Sequence, residues 1–123
     1  MRYLVLLEGP AATTPPPPAL MEGIATLGEE ATMSGSLLDT AGLAPSATGS
    51  RVSVISGALH VTDGPFTESK ELISYALYEV STKEEAVEWT RRFMTLHKDL
   101  WPGWEGEARV LKVFGPEDFG SPQ

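Results

Sequence analysis

The apolar positions of the chain fall into two rhythms, one of strands and one of helices. Tyr3 to Leu7 is apolar throughout, with Tyr3, Val5 and Leu7 on one side of a strand and Leu4 and Leu6 on the other, so both of its faces need cover. Gly9-Pro10 ends that strand, and residues 9–18, including AATTPPPP from Ala11 to Pro18, read as a stiff Pro-rich loop. From about Ala19 to Thr40, Leu20, Ile24, Leu27, Ala31 and Leu38 recur at helical spacing. Pro18 suits the first turn of this helix and Gly42 the position past its end. Gly23, Gly28 and Gly35 weaken it, each by about 1 kcal/mol relative to Ala, and Ser34-Gly35-Ser36 is a candidate break. Leu43 to Ser50 is small and irregular, with room for a short edge strand.

The clearest local signal follows. Arg51 to Ile55 and Ala58 to Asp63 flank Ser56-Gly57, a two-residue hairpin turn. Closing it pairs Val54 with Leu59 and Val52 with Val61 on one face, and Ser53 with His60 and Arg51 with Thr62 on the other. A polar loop leads to Ile73 to Val80, a second strand apolar on both faces, with Tyr75 and Tyr78 pointing opposite ways. Ser81 or Thr82 caps the next helix, whose stripe is Ala86, Trp89, Phe93, Leu96 and Leu100. Pro102-Gly103 stops it, Ala108 to Phe114 is the last strand, and residues 115–123 form an acidic tail. The order of strand, helix, strand, strand, helix, strand is the ferredoxin-like βαββαβ arrangement of an α+β protein, with helices on one face of an antiparallel sheet. Two helices cover only one face, so the doubly apolar strands predict a homodimer with sheets packed face to face.

Length and charge narrow the function. The 123 residues suit a single domain over 1–123, and 9 Lys+Arg against 17 Asp+Glu give a net charge of −8. No cation lies between Tyr3 and Ser50, and the nine are scattered, so neither nucleic acid nor a membrane surface is an expected partner. The longest aliphatic run, Leu4 to Leu7, is too short for a membrane span or a signal-peptide core, and cytoplasmic residence is the default expectation. With no Cys, thiolate catalysis and Cys-bearing metal sites are excluded; the two His lack helical ligand spacing, so no metal and no cofactor are expected. Gly57 and Gly64 are turn glycines outside any strand–loop–helix phosphate motif, and no G-x-S-x-G elbow is present.

DGPFTESKE (Asp63 to Glu71), preceded by a valine-rich hairpin and an N-terminal RYLVLLE, resembles the YCII-related proteins of the DGPF type. WPGWEGE (Trp101 to Glu107) and PEDFG (Pro116 to Gly120) are similar to one branch of that family. The resemblance spans nearly the whole chain and implies a dimeric α+β barrel. It brings no assured activity: the wider group is regarded as enzymatic on the strength of a His and an Asp near a pocket, and DGPF members have been linked to transcription initiation. Of that pair only Asp63 transfers residue by residue.

Asp63 therefore heads the candidate sites. At the end of an apolar sheet face its carboxyl would be desolvated and fit for acid–base work; the commoner use of such an Asp is to bond the backbone of its own turn. His60, three residues away, points to the opposite face in a regular strand and reads as half-buried opposite Ser53. His97, late in the second helix, is the second and weaker catalytic candidate, with stabilisation of the helix end as its simpler role. Gly64, Pro65, Phe66, Lys70 and Tyr75 are the candidate ligand-binding residues, and Trp101 and Trp104 are expected to fold the turn back onto the sheet. Two function classes stand: a small organic ligand bound near the DGPF turn, or cofactor-independent lyase or isomerase chemistry through Asp63, with a regulatory role as a further alternative.

Overall fold

A computed structural model describes residues 1–11, 14–64, 66 and 70–119. In chain order these form β1 (Arg2–Gly9), α1 (Pro18–Met33), β2 (Leu37–Gly42), β3 (Ser50–Ile55), β4 (Ala58–Asp63), β5 (Glu71–Glu79), α2 (Lys83–Leu100) and β6 (Glu107–Val113). Short 3-10 turns occupy Ser46–Thr48 and Pro116–Phe119. The four-stranded sheet has the order β2-β5-β1-β6, with every neighbouring pair antiparallel, while β3 and β4 form a separate two-stranded sheet. The protein is thus an α+β protein with antiparallel sheets, consistent with a ferredoxin-like arrangement. No helix among the described residues is long and apolar enough to cross a membrane.

β1 sits between β5 and β6, and its alternation sorts the faces. Tyr3, Val5 and Leu7 are 6%, 4% and 3% exposed on the side covered by the helices. Opposed residues of antiparallel strands share a face, so Tyr78, Ala76 and Ser74 of β5 join them, as do Val110 and Ala108 of β6. Leu4 and Leu6 point the other way with Leu77, Tyr75 and Leu111, and no helix among the described residues covers that side. Bulges at Ile73 and Leu38 shift the register next to β5.

α1 ends earlier than its apolar spacing predicts. Gly35 adopts a left-handed φ of +81°, and the N–H groups of Gly35 and Ser36 donate to Thr32 and Ala31 carbonyls. This Schellman closure terminates the helix at Met33, and Leu37–Gly42, of which the residues up to Thr40 were expected as its last turn, becomes edge strand β2. Leu43 to Ser50, read as irregular with room for a short edge strand, holds the 3-10 turn Ser46–Thr48 and ends on the first residue of β3. α2 begins as expected, with Glu85 N–H donating to the Thr82 hydroxyl (3.2 Å). Its most buried positions are Ala86, Thr90 and His97, so the stripe is rotated from the expected Trp89–Leu100 row, whose members are half-buried. The helices meet where Gly23 admits Leu96 and Leu100, and Arg92 clasps Glu30 with two bonds (2.5 and 2.8 Å).

The β3–β4 hairpin has the expected register, Val54 opposite Leu59 and Val52 opposite Val61, with positive φ at Ser56 and Gly57. Its apolar face is nonetheless open: these four residues are 65–74% exposed. His60, expected half-buried, is exposed as well. The hairpin leaves the domain between β2 and β5 instead of contributing strands to the main sheet.

Trp104 is held by missing side chains. A Cβ on Gly106 would overlap its ring and come within 2.8 Å of the Glu8 carbonyl, and a Cβ on Gly9 would lie 3.4 Å from the same ring. Gly106→Ala must displace Trp104, and should lower unfolding stability by about 1–3 kcal/mol in chemical denaturation. Unchanged stability would contradict this packing.

Candidate functional site

Between α1, α2 and the β2–β5–β1 side of the sheet lies a cavity of about 360 Å³, within the usual range for small-ligand sites. Small residues leave the space: Gly28 and Ala31 of α1, Ala41 and Gly42 of β2, and Ala76 of β5 line it. Built on Gly28 or Gly42, a Cβ would meet nothing within 4 Å. Aliphatic side chains such as Leu20, Ile24 and Leu27 make up most of the rest, and no Asp, Glu, Lys or Arg lines it among the described residues.

His97 is the one imidazole of the wall and is 4% exposed. Its Nδ1 lies 2.9 Å from the Phe93 carbonyl. A carbonyl only accepts, so Nδ1 carries the proton and Nε2 holds the free lone pair. Burial pushes the His97 pKa below its ordinary 6.5, against a smaller upward pull from the Phe93 carbonyl. The ring is wedged between Phe93 and Trp104, at centroid distances of 4.6 and 4.7 Å, and Trp101 stacks beyond Trp104 at 6.0 Å. The expected role of the two tryptophans in folding back the turn is thus joined to forming the cavity wall.

Two hydroxyls on the wall have given away their protons. Thr90 donates to the Ala86 carbonyl and Thr40 to the Tyr75 carbonyl, each at 2.8 Å. Thr90 was not singled out by sequence, although the row Ala86, Thr90, Phe93, His97 repeats at helical spacing and carried the signal. Tyr78 also lines the cavity and stacks on Trp89 at 6.4 Å; burial raises its pKa.

The other candidates lie apart. Asp63 is exposed at the end of β4, where its carboxylate accepts a 2.5 Å bond from the Ser50 hydroxyl, and it does not line the cavity. Gly64 donates to the Gly49 carbonyl (2.9 Å) and presses on the Ala47 backbone so closely that no Cβ fits. Phe66 lies under the Arg51 guanidinium at 4.3 Å, and Pro65 falls outside the described residues. Lys70 pairs with Glu107 at 2.7 Å, which raises the pKa of the lysine and lowers that of the glutamate. Of the expected ligand-binding residues that are described, only Tyr75 reaches the cavity, while its hydroxyl donates to Asp39 (2.8 Å) on the face away from the helices. The structure therefore separates the Asp63 turn from the cavity and brings His97 to it. No group of three or more His, Asp or Glu among the described residues could hold a metal ion.

Compared with known proteins, the sequence matches no family model, and no curated protein is similar enough to count as a relative.

His97 should stay neutral at pH 7 and titrate below 6.5 by NMR. The unfolded chain, with an ordinary imidazole, takes up the proton first as the pH falls. Stability from this group is therefore complete above pH 6.5 and declines below it towards the folded-state value. A His97 titrating at or above its ordinary value would contradict the buried, neutral assignment.

Proposed function

We propose that the protein is a YCII-related protein of the DGPF type that binds a small uncharged organic molecule in the cavity beside His97, and works as a homodimer. The single observation that carries the ligand reading is a sizeable, almost wholly apolar cavity whose described lining holds no charged side chain. A charged ligand there would be desolvated without a counter-charge. The element order, with the β3–β4 hairpin set aside, supports a ferredoxin-like βαββαβ topology. The residues Asp63 to Glu71 support the family. Acid–base chemistry through Asp63 has less support, since that carboxylate is exposed and bonded to Ser50. An enzymatic version of the site would rest on His97.

The apolar, helix-free face of the sheet supports the dimeric α+β barrel, two copies pairing through it. Leu4, Leu6 and Leu77 form its apolar centre, with Leu72 and Leu111 exposed at 45% and 44%. Covering such a face removes oily surface from water at roughly 25 cal/mol per Å².

Toluene is a suitable first probe of the cavity. It should shift the methyl resonances of Leu20, Ile24 and Leu27, and Gly28→Leu, whose Cβ would meet nothing within 4 Å and which improves helix propensity, should abolish those shifts while the fold persists. Binding that survives the substitution unchanged would remove the cavity as the site. In sedimentation equilibrium the protein should run as a dimer, and Leu111→Glu, at an exposed position, should shift it towards monomer. A monomer at all concentrations would end the dimer reading.

A further inference from the structure

Among the described residues, one polar group of the cavity wall is an acceptor to which no hydrogen bond is made. His97 presents a lone pair at Nε2, because its only ring proton is on Nδ1 and engaged with Phe93. Among the described residues no hydrogen bond reaches Nε2, although the residue is 4% exposed and lines the cavity. Thr90 and Thr40 likewise present oxygens whose protons are engaged elsewhere. Three polar groups of the wall thus accept and do not donate. Ser74, Tyr78 and the two indoles add neutral donors, and no Lys or Arg among the described residues lines the cavity. A carboxylate or phosphate would meet lone pairs and neutral donors here, with no charge to balance its own. A purely apolar molecule would leave the acceptor at His97 dry and unmatched, which costs free energy.

The shape of the wall narrows the class further. His97 lies between the rings of Phe93 and Trp104, and Trp101 continues the row. A flat molecule finds aromatic faces and edges there at stacking distance, with the imidazole acceptor among them. We propose that the ligand is a neutral planar compound of the phenol or heteroaromatic-alcohol class, whose hydroxyl donates to His97 Nε2. This rests on the cavity being the ligand site, and goes beyond it by assigning the direction of the polar contact and the residue that reads it.

The test compares phenol, toluene and benzoate on the full chain and on His97→Phe, with affinities by NMR titration or calorimetry. A neutral hydrogen bond contributes about 0.5–1.5 kcal/mol net, so His97→Phe should weaken phenol roughly 2- to 10-fold and leave toluene within about 2-fold. Benzoate should bind more weakly than phenol. If the substitution weakens both neutral probes equally, or neither, the assigned contact is wrong while the cavity stands as a site. Benzoate binding more tightly than phenol would overturn the ligand class. If neither toluene nor phenol binds, both the site and this inference fall. Should His97→Phe not fold, the 15N spectrum of the imidazole in the unaltered protein decides: phenol should move the Nε2 resonance and toluene should not, and an Nε2 signal indifferent to phenol overturns the proposal.

Discussion

The hydrogen bonding of β1 on both edges is the constraint from which the rest of the molecule follows. A strand paired to β5 on one side and β6 on the other has no free backbone groups to satisfy, so its side chains alone decide what lies above and below. Those above, Tyr3, Val5 and Leu7, are nearly inaccessible beneath α1 and α2. Those below, Leu4 and Leu6, belong to a helix-free surface continuous with Leu77 and Leu111. Of the two apolar faces, one receives both α-helices of the described residues.

That allocation also shapes the cavity. α2 lies close to the sheet where Ala86 is fully buried, and α1 leans on α2 through Gly23 and the Arg92–Glu30 pair. Towards β2 the side chains become small, and the helix and the strand do not fill the gap between them. Dense packing is the rule in protein interiors, and an unfilled region with one imidazole in its wall is unusual enough to need a reason. The ring of His97 is held from three sides, by its own helix carbonyl, by Phe93 and by Trp104, and Trp104 is itself fixed over two glycines. Such multiple restraint is what a binding group requires if its orientation is to be set before the ligand arrives.

The sequence made some of this legible and hid the rest for physical reasons. The hairpin register was readable because a two-residue turn and alternating valines leave one self-consistent pairing; that the valines face solvent was not, because periodicity reports which residues share a face and not what covers it. The end of α1 was obscured by Leu38, which continues the helical spacing by coincidence while Gly35 reverses the chain. β2 was missed for the same reason, and with it the true neighbours of β5. At the site, His97 was visible as a candidate, but helix-end stabilisation explained it equally well, since burial by Trp104 depends on a turn whose path residue spacing does not encode. Asp63 drew attention through its motif, yet its surroundings are set by how the hairpin leaves the domain, a long-range matter.

The manner of that departure has a consequence for how the molecule melts. At the base of the β3–β4 ribbon Gly64 donates to Gly49 and packs against Ala47, and Arg51 lies over Phe66. A two-stranded ribbon is marginal in water by itself. Its amides can therefore open and exchange while the four-stranded sheet stays shut, so one polypeptide carries two thermodynamic units: a cooperative body that includes the cavity, and an arm that frays at low cost. Substitutions in the arm will register weakly in a global unfolding curve, and the body can tolerate sequence drift there without losing its architecture.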